Sequence, residues 1–170
     1  MLRKFFLLIT ILLPGCIGIP EDVTAVREFD VEGYLGTWYE IARLDHSFER
    51  RLIKVTANYT LREDGGIKVV NKGFDPETNI WKEAVGKAYF IDDPKVGRLR
   101  VSFWGPFYGA YNIIDLDKEN YSYSLVCGPS KSYLWILSRE PHMEESIKLE
   151  LVKRAKALGF KTEKLIYVAH

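Results

Sequence analysis

Between Trp38 and Glu140, short runs rich in aromatic and β-branched residues alternate apolar with polar positions, and turn formers break them at close intervals. The runs are TWYEIARLD (37–45), VTANYTLRE (55–63), IKVVNKGFD (67–75), WKEAVGKAYFI (81–91), RLRVSF (98–103), YGAYNIIDL (108–116), YSYSLVC (121–127) and YLWILSR (133–139). Successive strand side chains point to opposite faces, so this two-residue period describes strands with one dry face and one wet face. The links DGG, DPETN, DDPKVG, WGPF, DKEN and GPSKS carry the Gly, Pro, Asp and Asn that turns need. Eight strands with mostly hairpin-length links predict the meander of an antiparallel barrel or sandwich. After Pro141 the period lengthens. Met143, Ile147, Leu151, Ala155 and Leu158 recur at helical spacing over residues 142–158. Glu144 and Glu145 open that stretch, and Lys153, Arg154 and Lys156 close it before Gly159, the charge order that a helix dipole favours. The helix is expected with its apolar stripe against the outside of the barrel, and KLIYVA (164–169) predicts a ninth strand.

The N-terminus follows another pattern. Arg3 and Lys4 precede an uncharged run from Phe5 to Leu13. Nine helical residues rise only ~14 Å against ~30 Å of bilayer hydrocarbon, so the run does not span and reads as an export signal. Leu13-Pro14-Gly15-Cys16 resembles the lipobox of bacterial lipoproteins. That resemblance implies cleavage after residue 15 and acylation of Cys16, which makes residues 1–15 a leader, 16–29 an N-terminal tether and 30–170 the folded domain. Several acyl chains hold where one does not, at ~0.8 kcal/mol per buried CH2. Ile17, where inner-membrane retention would use Asp, directs the anchored protein of a Gram-negative cell to the outer membrane under the same resemblance.

Losing 15 of 170 residues leaves 155, enough for one ordinary domain with a core. Arg3 and Lys4 leave with the leader, which takes the formal charge from +1 to −1. Such a balance gives no case for nucleic acid or for polybasic attraction to a membrane. With Cys16 acylated, Cys127 is the only thiol left, so no intrachain disulfide forms. Its neighbours in YSLVCGP are apolar, the setting of a small buried hydrophobe rather than of a reactive thiol.

Gly36-Thr37-Trp38-Tyr39 heads the first strand, DLDKENYSYSLVCG covers 115–128, and Trp135-Ile136-Leu137-Ser138-Arg139 ends the eighth. Together these resemble the three motifs of the lipocalin family, over nearly all of residues 30–168. GTWYEIARLDHSFER, VSFWGPFYGAYNII and YLWILSREP carry the likeness furthest, toward the bacterial lipoprotein members and, at greater distance, the apolipoprotein D-like ones. The resemblance implies an all-β fold with one C-terminal helix, an eight-stranded antiparallel up-and-down barrel. It also implies that Trp38 closes the floor with Arg139 across its ring, a structural pair rather than a ligand clamp.

An eight-stranded barrel can hold one small ligand. If Arg139 points in at the floor, alternation turns Leu137, Trp135 and Tyr133 inward as well. The same period groups Val55, Ala57, Tyr59 and Leu61; Ile67, Val69 and Asn71; Ala84, Gly86 and Ala88; and Leu99, Val101 and Phe103. Tyr111 and Ile113 join them by the family resemblance, and Trp81 and Trp104 fall at the rim or outside. The expected ligand contacts are Ala57, Tyr59, Val69, Asn71, Val101, Phe103, Tyr111, Tyr133 and Trp135. Such a lining suits a long apolar tail with Tyr or Asn binding a polar end. The faces of strand seven stay open, as does Glu40, which alternation from Trp38 turns inward and a bulge would turn out.

His46, His142 and His170 are scattered, with no Cys or carboxylate at ligand spacing, so no metal is expected. A haem would rest on His46 alone, and no cofactor is assigned. Nucleophile and phosphate-loop motifs are absent from the sequence. The expected function is that of a non-enzymatic, membrane-tethered binder that stores or transports fatty acids, lysophospholipids or related lipids. Two alternatives stand beside it: a lipid-modifying enzyme using Cys127 or Glu40, and a ligand-free envelope-structure lipoprotein. Homodimer formation is left open.

Overall fold

The computed structural model describes residues 17–170, so the leader and Cys16 lie outside the described residues. Strands β1 (Gly36–Arg43), β2 (Ile53–Leu61), β3 (Ile67–Asp75), β4 (Ile80–Phe90), β5 (Arg98–Trp104), β6 (Phe107–Leu116), β7 (Tyr123–Cys127) and β8 (Leu134–Ser138) each pair antiparallel with the next. β8 returns to pair with β1, which closes the barrel, and β9 (Ile166–Tyr167) adds to β1 outside it. Closure leaves the barrel strands little free edge: β1 pairs with β2 over Gly36–Tyr39, and β9 takes its place on β1 at Ala42 and Arg43.

Alternation sorts the apolar residues into two clusters. The inner one contains Trp38, Tyr59, Ile67, Val69, Leu99, Ile113, Val126 and Leu137. The outer one joins Ile41, Ala42, Ile114, Leu125, Cys127, Leu134 and Ile136 to Leu151 and Ala155 of helix α2 (Glu145–Ala157). Strand β7 is therefore assigned: Val126 faces in, while Leu125 and Cys127 face the helix. The helix starts three residues later than the apolar period suggested. It ends where Gly159, at φ +83°, donates to Lys156 O and Phe160 donates to Ala155 O, a left-handed stop that glycine adopts without strain.

Four register slips interrupt the ladders: between Ile53 and Thr56 on β2, between Val101 and Trp104 on β5, and at the two places that follow. Between Glu40 and Ala42 the β1–β8 register slips by one residue, so Ile41 and Ala42 both pack outward and Arg43 comes in opposite Trp135. The fourth slip lies between Ile113 and Asp115.

One inward expectation is corrected. Leu61 was grouped with Val55, Ala57 and Tyr59, yet half of it is exposed. The reason is that β1 begins at Gly36 opposite Tyr59, so β2 below that point has no β1 neighbour to cover it.

The stretch before residue 30, expected as a tether, carries fold contacts from Gly18 onward, and the Gly18 carbonyl accepts from Asn112 Nδ2 at 3.1 Å. Ile19 and Val23 pack on the outer cluster, and Phe29 is buried in the inner one. Val26 N–H donates to Ile113 O at 2.9 Å, and Phe29 N–H donates to Lys95 O at 2.9 Å. A one-turn helix, α1 (Val31–Tyr34), then crosses the closed end, capped by Asp30 Oδ1 accepting from Glu32 N–H.

Candidate functional site

The barrel interior is a cavity of about 1080 Å³. Pockets for small molecules run to ~300–1,000 Å³, so there is room for one sizeable molecule. All nine residues expected as ligand contacts stand on its wall: Ala57, Tyr59, Val69, Asn71, Val101, Phe103, Tyr111, Tyr133 and Trp135. Val55, Ile67, Ala84, Ala88, Leu99 and Leu137 complete most of the apolar surface. Small residues on β4 and Gly109 on β6 leave the width.

Below the cavity, Trp38 is fully buried and the Arg139 guanidinium carbon lies 4.0 Å from the centre of its ring. A cation over an indole is worth ~0.5–1 kcal/mol when exposed and ~2 when desolvated. Arg139 also donates to three carbonyls: Gly33 at 2.7 Å, Thr37 at 3.0 Å and Tyr121 at 3.2 Å. Trp38 Nε1–H donates to Tyr34 O at 2.8 Å. The plate joins α1, β1 and the β6–β7 link from underneath. It does not reach the cavity.

The surface at the base of the cavity is a layer of tyrosines. Tyr59 donates to the Tyr111 hydroxyl at 2.9 Å, and the Tyr34 hydroxyl lies 2.7 Å from the same oxygen. Burial raises all three phenols, Tyr34 to about 12, so they stay neutral and satisfy one another. Tyr34 was missed in the sequence because a single helical turn has no period to read. Asn71 differs from the tyrosines: its Oδ1 is buried on the wall without a hydrogen-bond partner.

Toward the open end a buried charged group was also missed. Arg43 donates to Glu40 Oε1 at 2.6 Å and to the carbonyls of Glu49 and Leu52 at 2.8 and 3.2 Å. Trp135 Nε1–H donates to Glu49 Oε2 at 3.1 Å, and His46 Nε2 sits 2.9 Å from that oxygen, off the line of its N–H. Arg43 thus holds the β1–β2 loop to the wall while Glu40 and Glu49 face the cavity. Burial and the charge of Glu49 push the Glu40 carboxyl well above the usual carboxylate range, against the pull of Arg43. Burial also acts to raise Glu49, but its contacts with His46 and Trp135 and the charge of Arg43 outweigh it and hold that carboxyl low. The bulge at Ile41 brings Arg43 inside, so alternation alone could not have found this group.

Cys127 stands apart from the cavity, buried beneath α2, and burial pushes its thiol up to about 12. Among the described residues no cluster of three His, Cys, Asp or Glu could hold a metal ion. No helix among them is long and apolar enough to cross a membrane.

A closed antiparallel barrel with a sealed base and a deep apolar cup defines a class, the calyx-shaped binders of single lipophilic molecules. Residues 29–170 match the lipocalin-like domain, and the chain belongs to that family. It is 54% identical over 164 residues to a protein of Vibrio cholerae serotype O1 named outer membrane lipoprotein Blc, covering 96% of each chain. It is 54% identical over 149 residues to the protein of that name in Escherichia coli K12, covering 88% of this chain and 84% of the other. Among solved structures, insecticyanin of the tobacco hornworm Manduca sexta superposes with a TM-score of 0.72 at 20% identity, over 90% of this chain and 87% of the other.

Proposed function

We propose that this lipocalin is a lipid-anchored protein of the outer membrane that binds one long-tailed lipid, a fatty acid or lysophospholipid, and stores or passes it on without chemical change. The cup carries the proposal. About 1080 Å³ of aliphatic and aromatic wall suits an apolar tail, and the mutually bonded tyrosines end it. A tail running down to Tyr59 and Tyr111 leaves the polar part of the molecule higher on the wall, where Asn71 has an unpartnered carbonyl oxygen. That oxygen accepts from a hydroxyl, the group a lysophospholipid glycerol offers. The anchor rests on the lipobox at Cys16 and on the names of the close relatives. The non-enzymatic reading rests on Cys127 lying outside the cup and on Glu40 being held by Arg43.

The test is solvent extraction of protein purified from membranes, followed by mass spectrometry of what was bound. Near one lipid per barrel is expected, with saturable rebinding of C16–C18 fatty acid or lysophospholipid to the stripped protein. No bound lipid and no rebinding would overturn the reading. Modified lipid accumulating with time would replace it with the enzymatic one. For the anchor, Cys16→Ser should leave the membrane fraction after a salt wash.

A further inference from the structure

The formal charge without the leader is −1, but the fold spreads that balance unevenly. Ile67 and Val69 on β3, Ala88 on β4, and Leu99 and Val101 on β5 face the interior. Alternation therefore turns Lys68, Lys87 and Arg100 outward on one side wall. Lys68 stands directly opposite Lys87 across the β3–β4 ladder. Arg100 is opposite Tyr89 across the β4–β5 ladder, which makes it the diagonal neighbour of Lys87. Among the described residues none of these three cations forms an ion pair. The acids nearby are engaged elsewhere: Asp64 accepts from Arg62 and from the Tyr89 hydroxyl, and Glu83 stands opposite Lys72. The Arg100 guanidinium lies over the rings of Tyr89 and Tyr108, 6.0 and 5.1 Å from their centres, contacts that leave its N–H donors for an outside acceptor. Like charges directly opposite one another weaken a sheet. The barrel gains nothing from this stripe unless an anionic surface faces it.

The path of the N-terminal chain identifies that surface. Asn112 on β6 stands opposite Arg98, one outward position along β5 from Arg100. Its amide nitrogen donates to Gly18 O at 3.1 Å and to Gly128 O at 3.2 Å, which holds the N-terminal segment on the outside of β6. Diagonal neighbours in a sheet lie ~7–8 Å apart. Cys16 is two residues before Gly18, at most ~7 Å of chain. Acyl groups on Cys16 would enter a bilayer beside the wall that carries Arg100. Helix α2, with exposed Lys153 and Lys156, covers β1, β7 and β8 on the far side of the barrel.

We infer that the outer face of β3, β4 and β5 lies against the anionic headgroups of a bilayer, with Lys68, Lys87 and Arg100 meeting lipid phosphates; this orientation rests on the lipid anchor proposed above. Each cation near an anionic membrane is worth about fivefold in partition, so three of them alone hold weakly. A tether that enters the bilayer nearby makes their contact an intramolecular event and raises its occupancy. The contact is one of charge and is weakened by salt. Lying on this wall, the barrel keeps its open end clear of the headgroups.

The test uses the protein purified from membranes and bound to vesicles of phosphatidylcholine alone, or of phosphatidylcholine and phosphatidylglycerol at three to one. Acetylation of individual lysines, read by mass spectrometry of peptides, reports which wall is covered. Lys68 and Lys87 should react at least ~fivefold more slowly on the phosphatidylglycerol vesicles than on phosphatidylcholine alone. That difference should vanish at about 0.5 M salt, where screening is severe. Lys153 and Lys156 should react alike on both. Arg100→Gln should lower the protection of Lys68 and Lys87 severalfold, whereas Lys153→Gln should leave it unchanged. Equal reactivity of the two walls on phosphatidylglycerol vesicles overturns the inference. Protection that is the same on phosphatidylcholine alone, or that grows with the ratio of protein to lipid, marks an uncharged contact or an interface between copies of this chain and overturns it as well. The mass of the N-terminal peptide reads the anchor separately. If Cys16 carries no acyl groups the anchor reading fails, and co-sedimentation of that protein with phosphatidylglycerol vesicles decides the wall. Salt-sensitive binding that Arg100→Gln lowers by about fivefold keeps the inference, and no such binding overturns it.

Discussion

Valine placed at two inward glycines should have opposite consequences, because one faces the cup and the other is already covered. A Cβ at Gly109 on β6 meets nothing within 4 Å. One at Gly86 on β4 would lie 2.7 Å from the Ser102 carbonyl oxygen and 2.8 Å from the Phe103 ring. A backbone carbonyl in a strand pair cannot turn away, so Gly86→Val must push β4 from β5, an overpacking cost of ~1–3 kcal/mol or more. Gly109→Val removes a strand glycine, worth ~0.5–1 kcal/mol in favour of the folded state, with no clash to offset it. The two variants should thus differ by ~1.5–4 kcal/mol. At ~2–4 °C per kcal/mol for a domain of this size, thermal midpoints followed by circular dichroism should separate by roughly 3–16 °C. Binding should move the other way. If the new isopropyl group displaces about two methylenes of a bound tail, at ~0.8 kcal/mol each, Gly109→Val should weaken C16 lysophospholipid binding by on the order of tenfold. A Gly109→Val protein that unfolds as readily as Gly86→Val would refute the cavity. A stable one with undiminished affinity would show that the ligand does not pass β6.

Two further outcomes follow from the charged groups. Arg43→Met strands Glu40 in the wall and frees two loop carbonyls, so urea unfolding should show a loss of ~3–5 kcal/mol; adding Glu40→Gln should recover part of it, and strictly additive losses would refute the coupling. Asp75 is held down to about 2, chiefly by Lys82 and with help from the N–H groups of Glu77 and Thr78, so its stabilisation is full above the ordinary carboxylate value of ~3.9 and fades as pH falls toward ~2. Asp75→Asn should flatten the dependence of unfolding free energy on pH between about 4 and 2, and an unchanged slope would count against that role.

The inward set was readable wherever strands pair without interruption, since a two-residue period needs only one fixed point. Arg139 fixed β8, and the clean apolar splits on β3 and β5 fixed their own faces. The pattern failed where pairing partners, not side chains, decide the outcome. Leu61 continues the apolar period of β2, but only knowledge of where β1 begins reveals that nothing covers it. The slip at Ile41 depends on counting residues between β1 and β8, which lie about 95 positions apart in the chain. Without that slip Arg43 would face solvent, and Glu49 and His46 would read as ordinary loop residues. Tyr34 was hidden for a simpler reason: VEGY has neither a strand period nor a helical one.

Those missed residues explain how a barrel with an open interior keeps its shape. Side chains that would fill a packed core are replaced here by Ala57, Ala84, Ala88 and Gly109, so the middle of the barrel contributes little packing. Burial is concentrated instead in the outer cluster beneath α2 and in the layer from Trp38 to the tyrosines. Each end is then fixed by an arginine whose planar fork reaches several acceptors at once. Arg139 gathers the carbonyls of Gly33, Thr37 and Tyr121 around the floor, and Arg43 gathers Glu40 and the carbonyls of Glu49 and Leu52 near the mouth. Because these bonds join wall to loop without crossing the cavity, the cup is formed before a ligand arrives. A preformed cup spares the ligand the ordering of side chains and loops that would otherwise weaken binding, at ~0.5–1.5 kcal/mol for each flexible side chain immobilised. Affinity should then follow the length of tail the cup can take, down to the Tyr59–Tyr111 layer.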